Sequence, residues 1–186
     1  MSSTDLPEKI KRGRKAALEV IPLLMRKFAS PDRKVHAATI LSAAAWLTGM
    51  SLYQAFDTRA ETPPGTPVKS EEINKEWENL MYLFEQYNYG RTDIPVGQFL
   101  MAAMLAGDKH KPQVTMLDVL KEFQELYLQI MKKHGFDGLE EARAGIVLCS
   151  VLFQHHCQTV KDIGPNVAAG LIAEGILEAA KTIPPR

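Results

Sequence analysis

Three reactive side chains stand next to each other near the end of an apolar run. The stretch SVLFQHHCQTV, residues 150–160, contains His155, His156 and Cys157. Imidazole nitrogens and thiolates are ligands of zinc, and a thiolate beside an imidazole can act as a nucleophile. The residue types therefore suggest either a metal site or covalent catalysis.

The spacing of these side chains argues against both chemistries. Ligands on one helix usually sit at i and i+3 or i+4, where they share a face, but His155 and His156 point about 100° apart. Cys149 shares a face with His156, yet the two residues lie about 10 Å apart along the helix axis. No His-Glu-x-x-His, Glu-x-x-His or Cys-x-x-Cys motif occurs. We therefore expect no metal and no cofactor, and we assign no catalytic residue.

Two other interpretations of His155 and His156 remain open. An imidazole at a helix C-terminus is favoured by the helix dipole, and a partly buried histidine can line a pocket. Met101, Met104 and Met116 favour a pocket, because methionine adapts to irregular apolar cavities. The second interpretation predicts an apolar, methionine-lined pocket near the two histidines.

The elements that must position these residues are predicted to be helices. Hydrophobic periodicity and capping residues divide the chain into about seven helical segments, and alternating runs typical of strands are scarce. The first helix begins near Leu6, and Pro22 is expected to kink or split it, because proline removes a backbone donor. The other predicted helices span about residues 30–56, 70–90, 93–106, 115–135, 137–158 and 164–183.

This pattern predicts an all-α fold, an irregular bundle of about seven helices in a single domain over residues 1–186. Residues 57–70, DTRAETPPGTPVKS, are rich in proline and predict an exposed loop. The Ala-rich second helix is expected at the centre, together with the sixth and seventh.

The second helix contains an uncharged stretch, because residues 35–56 include no Asp, Glu, Lys or Arg. Its length would suffice for a membrane span, but its alanines and hydroxyl side chains make insertion weak, and we expect no transmembrane span.

Small side chains form one stripe on the second helix and another on the seventh. Such stripes permit close helix contact, within the chain or between two subunits; the residues are Ala38, Ser42, Ala45 and Gly49, and Ala168, Gly175 and Ala179.

Charge and cysteine content limit the partners and the compartment. The chain has 22 basic and 22 acidic residues, which is no strong nucleic-acid signal, because such binding usually needs a surplus of cations. Basic residues concentrate in residues 9–34, which could contact an anionic surface, dock on the acidic remainder or stay solvated.

Cys149 and Cys157 lie about 12 Å apart on one helix, too far to pair, and the charged N-terminus does not resemble a signal peptide. We expect a cytoplasmic protein.

Three functions are consistent with these features. The first is non-enzymatic action through self-association or a partner, with a homo-oligomer expected and a dimer favoured by the small-residue stripes. The second is a small-molecule binder or enzyme that uses the methionine-lined pocket near His155 and His156. The third is weak binding of nucleic acid or an anionic surface by residues 9–34.

Overall fold

Seven α-helices form the computed structural model, which describes residues 5–29, 35–56, 63–104, 107 and 110–185. A 3₁₀ turn at Val96–Gln98 leads into the fourth helix, and a turn of π-helix, His155–Val160, continues the sixth. Within those ranges no β-strand is found, so the prediction of an all-α fold with about seven helices is confirmed. The helices are α1 (Asp5–Phe28), α2 (Ala37–Phe56), α3 (Glu71–Tyr87), α4 (Phe99–Met104), α5 (Met116–Lys133), α6 (Leu139–Gln154) and α7 (Pro165–Ala180).

Helix α2 forms the centre of the bundle because its sequence is apolar on almost every side. All residues from Ala37 to Tyr53 are buried. Helix α7 packs along it, and α5 and α6 cover other sides. All seven helices add side chains to one continuous buried cluster, and the single-domain organisation stays a prediction. No helix in the described part of the chain has both the length and the apolar composition to cross a bilayer.

The stripes of small residues on α2 and α7 face each other within one chain. Gly49 lies against the carbonyl oxygen of Ile176, and a methyl group at Gly49 would lie 2.9 Å from the Cβ of Ala179. A methyl group at Gly175 would lie 2.8 Å from the Cβ of Ala45. These distances are too short for real side chains, so glycine allows the two backbones to approach at both positions.

The other members of the two stripes are also covered. The carbonyl oxygen of Ser42 lies 3.6 Å from the methyl position at Gly175, and Ala38 and Ala168 are buried. Because α7 covers the α2 stripe, no second subunit is needed to bury it. The stripes therefore no longer argue for a dimer.

Two further close contacts involve glycines outside the predicted stripes. Gly145 of α6 lies against the hydroxyl group of Thr48, and Gly170 of α7 lies against the backbone nitrogen of Ala103 in α4. Thr48 and Gly49 are consecutive on α2 and point about 100° apart. Helices α6 and α7 therefore pack on different sides of α2.

Pro22 does not split α1, because the helix continues through this residue to Phe28. Proline leaves the carbonyl oxygen of the residue four positions earlier without a donor. That residue is Leu18, and both Leu18 and Pro22 are exposed. Water can therefore solvate the free carbonyl group, and the helix is not divided.

The second and fourth predicted helices begin well before the observed ones. The predicted start of the second helix in residues 30–34 lies outside the described residues, but Val35 forms an antiparallel bridge with Ala29 and α2 begins only at Ala37. The fourth helix begins at Phe99 rather than at residue 93, because Pro95 is extended and a 3₁₀ turn follows it. Residues 105–106, its predicted end, are also outside the described ranges.

The described part of the predicted 57–70 loop is only partly exposed, and residues 57–62 lie outside the described ranges. The backbone nitrogen of Val68 donates to the carbonyl oxygen of Lys181 over 2.7 Å, and Ile183 donates to Thr66 over 3.0 Å. Val68 is buried. Local composition predicted a free loop, but pairing with the segment after α7 fixes residues 65–68 on the bundle.

Candidate functional site

A cleft of about 690 Å³ opens between α2, α4, α7 and the segment that leads into α5. Its size lies in the range of about 300–1,000 Å³ that small-molecule sites usually occupy. Most of its wall is apolar, and the large apolar side chains that line it are Trp46, Met104, Val114, Met116 and Leu171.

Two carboxylates of α7 form one polar side of the wall. Glu174 and Glu178 both line the cleft and are one helical turn apart, so they share a face. The indole N–H of Trp46 donates to Oε2 of Glu178 over 2.8 Å, which fixes that carboxylate against α2. Partial burial raises the pKa of Glu174, and the negative charge of Glu178 adds to this effect.

The opposite polar groups come from the segment before α5, where His110 and Lys111 line the cleft. This segment is attached to α2, because the backbone nitrogen of Gln113 donates to the buried hydroxyl group of Thr39 over 3.0 Å. The same hydroxyl group lies 2.9 Å from Nδ1 of His36. A hydrogen bond to the central helix thus holds the wall that carries His110.

Comparisons of the chain with family models, curated proteins and solved structures find no match.

The methionine prediction corresponds to this cleft in part. Met104 and Met116 line it, whereas Met101 is exposed on α4 and is not among the lining residues. Neither His155 nor His156 lines it, because they lie on the π turn that continues α6, and α6 packs on a different side of α2 from α7. The histidine of the cleft is His110, so the pocket lies elsewhere than predicted.

His156 is buried at the turn between α6 and α7. Its Nδ1 lies 3.1 Å from each carboxylate oxygen of Asp162, and its Nε2 has no polar partner among the described residues. The backbone nitrogen of Asp162 also donates to the carbonyl oxygen of His156 over 3.2 Å. Lys161, between them, adopts a left-handed conformation with φ 59°. Side chain and backbone together fasten the turn, which gives His156 a structural role.

His155 is exposed, and its ring packs edge-on against His156 with the centroids 5.1 Å apart. The α-helix predicted to reach residue 158 changes at His155 into a wider π turn. Single π turns often occur at functional sites, but within the described residues no group of three or more His, Cys, Asp or Glu side chains could hold a metal ion.

Both thiols are poor nucleophiles. Burial raises the pKa of the Cys149 thiol to about 12, and burial with the nearby charge of Asp162 raises that of Cys157 to about 12. The reactive form of cysteine is the thiolate, which is scarce at neutral pH in both cases. Cys149 contacts the hydroxyl group of Thr48 at 3.6 Å and belongs to the core.

A second concave surface runs along α1, α3 and α6. Two cavities of about 310 and 300 Å³ adjoin there, with Ile10, Tyr87 and Val147 in the walls of both. Leu18 and Tyr82, which are 65% and 58% exposed, lie on its edges. We refer to this surface as the α1 groove.

The basic N-terminal segment is partly docked on the rest of the chain. Lys9 Nζ lies 3.2 Å from Glu140, and Lys27 Nζ lies 2.6 Å from a carboxylate of α5. The guanidinium group of Arg12 donates over 3.4 Å to a carbonyl group at the C-terminal end of α5 and packs on the ring of Phe136. Three of its cations therefore already have partners, and residues 30–34 lie outside the described ranges.

Sequence reasoning identified the two methionines of the cleft but missed Trp46, His110, Glu174 and Glu178. The small-residue stripe placed Trp46 next to the α2–α7 contact, which was a usable signal. The i, i+4 spacing of Glu174 and Glu178 is also typical of an ordinary solvated helix face. Only the packing of α4 and α7 shows that both face a cavity.

Proposed function

We propose that this chain binds a small organic ligand in the cleft between α2, α4, α7 and the segment before α5, without catalysing a reaction. The observation that carries this proposal is a cavity of about 690 Å³ with a largely apolar wall and a few polar groups on two sides. The raised pKa values of Cys149 and Cys157, neither of which lines the cleft, argue against cysteine-based catalysis.

The fluorescence of Trp46 provides a direct measurement of binding. The chain has two tryptophans, and Trp77→Phe leaves Trp46, which lines the cleft, as the only one. Trp77 donates one hydrogen bond to the carbonyl oxygen of Ala173, so its loss costs about 1 kcal/mol and the fold should persist. The probes are 4-phenylbutylammonium, 4-phenylbutanol and 4-phenylbutanoate, which share one apolar body and differ in charge.

We expect a saturable fluorescence change with at least one of these probes at millimolar concentration or below. Ala103→Phe adds a ring to the wall of the cleft and should weaken binding at least tenfold. Met101→Phe is the matched control, because it adds the same ring to the same helix outside the cleft. No saturable change with any probe, or equal affinity in the Ala103→Phe variant, would contradict the proposal.

Self-association as a dimer is a second candidate function, and the α1 groove is its most suitable surface. The support is the exposure of Leu18 and Tyr82 on either side of two adjoining cavities, since exposed apolar patches often mark interaction sites. Sedimentation velocity from 10 µM to 1 mM should then show a concentration-dependent dimer that Leu18→Glu abolishes. Leu126→Glu, on an exposed position of α5, should leave it unchanged. A monomer at every concentration would exclude this candidate.

Binding of nucleic acid or an anionic surface by residues 9–34 has less support, because Lys9, Arg12 and Lys27 already contact groups of the chain. A cytoplasmic location is supported by the two cysteines, which are both free.

A further inference from the structure

The carboxylates of the cleft lack a counter-ion among the described residues. Neither Glu174 nor Glu178 forms an ion pair there, although both line the cleft. Like charges one turn apart on a helix repel each other. A positive charge placed between them would remove this repulsion and satisfy both groups.

Trp46 adds a second feature that suits a cation. Its indole is almost fully buried, since only 5% of the residue is exposed, and its N–H holds Oε2 of Glu178 at 2.8 Å. The carboxylate is therefore held in place before a ligand arrives, which reduces the entropic cost of binding.

The rest of the wall determines what the cation must be attached to. Met104, Met116 and Leu171 offer an apolar surface, and a hydrated inorganic ion would make no favourable contact with it. The complementary molecule has an ammonium group and an apolar body.

We infer that the ligand of this cleft is an organic cation whose ammonium group lies between Glu174 and Glu178 and whose apolar part contacts the methionines. This inference rests on the proposed function, because it assigns the chemical class of the ligand at the same site. It assigns the charge selectivity to Glu174 and Glu178 and the shape selectivity to the apolar wall.

The three phenylbutyl probes test the charge selectivity directly in the Trp77→Phe background. 4-Phenylbutylammonium should bind at least tenfold more tightly than 4-phenylbutanol, and 4-phenylbutanoate should bind most weakly. The Glu174→Gln, Glu178→Gln double variant should bind the ammonium and the alcohol with equal affinity, while its affinity for the alcohol stays within twofold of the parent. Gln at position 178 retains an oxygen that can accept the hydrogen bond of Trp46, so the wall should keep its shape.

Each result has a distinct meaning. If the alcohol binds as tightly as the ammonium in the parent, the inference is wrong while the proposed function stands. The inference is also wrong if the double variant keeps the tenfold preference or if the carboxylate probe binds most tightly. If no probe binds, the proposed function itself fails. Glu125→Gln, a charge change on the exposed face of α5, should alter none of these affinities, and thermal unfolding confirms that every variant is folded.

Discussion

Gly49 of α2 lies against the carbonyl oxygen of Ile176 in α7, with no space for a side chain between them. This contact joins the central helix to the helix that carries both carboxylates of the cleft. The position of Glu174 and Glu178 relative to Trp46 therefore depends on Gly49, a residue that has no side chain.

Gly49→Leu should destabilise the protein strongly, because a side chain at this position must push two packed helices apart. Overpacking of this kind costs about 1–3 kcal/mol or more, and urea unfolding would measure it as a lower midpoint at unchanged slope. Gly97→Leu is the control, because a side chain there meets nothing within 4 Å. An unchanged midpoint for Gly49→Leu would show that α2 and α7 do not touch at this residue.

Glu141 should make stability depend on pH. Partial burial raises its pKa to about 7, and the charge of Asp137 adds to this. The folded protein then holds a proton that the unfolded chain releases near 4.5, the ordinary pKa of a glutamate side chain. This contribution to stability is therefore present below about pH 4.5 and is lost as the pH rises through about 7.

Glu141→Gln removes this titration and should be more stable than the parent at pH 8, by about 1 kcal/mol after allowance for the half of the side chain that stays solvated. Urea unfolding of both proteins from pH 4 to 8 would measure the difference. Glu19→Gln should have the opposite effect and make the protein less stable than the parent at neutral pH. Hydrogen bonds from Lys133 and then His134 lower the pKa of Glu19, so its contribution is present at neutral pH and lost on acidification. A parallel pH profile for Glu141→Gln and the parent would contradict this assignment.

The adjacent histidines should differ sharply when each is replaced. His156→Ala removes a buried ring and leaves Asp162 without its partner, which should cost about 2 kcal/mol. His155→Ala, on an exposed residue, should stay within about 0.5 kcal/mol of the parent. Equal losses in thermal or chemical unfolding would mean that the turn between α6 and α7 is not fastened through His156.

The thiols should react slowly while the protein is folded. Burial and raised pKa values keep Cys149 and Cys157 protonated, so Ellman's reagent at pH 8 should modify each residue at least a hundredfold more slowly than in urea. Fast labelling of either cysteine in the folded protein would restore it as a candidate nucleophile.

The sequence was sufficient for the helices and for the two faces of small residues, because both depend on local periodicity, but only the structure shows that these faces contact each other. Small residues at i, i+4, i+7 spacing mark a face that must meet another backbone, and Gly49 and Gly175 lie on such faces. The same reasoning did not single out Gly145 and Gly170, which stand beside alanines in helices that are apolar nearly all round.

The site was harder to predict because it is built from residues distant in sequence. Met104 and Met116 were identifiable from their chemistry, but the histidine beside them is His110, which belongs to a segment without periodicity. The burial of Val68 was equally hard to predict. Its local sequence is typical of a free loop, and only its pairing with Lys181 buries it.

Gly170 has a mechanical consequence for the cleft. The backbone of α7 contacts that of α4 here, at Ala103, so this contact sets the spacing of two walls of the cleft. A methyl group at position 170 would push α4 and α7 apart. Gly170→Ala should therefore widen the cleft and relax the size limit on the ligand without adding or removing a group that touches it. A larger homologue of the best phenylbutyl probe, tested on this variant by Trp46 fluorescence, would then gain affinity relative to the original probe.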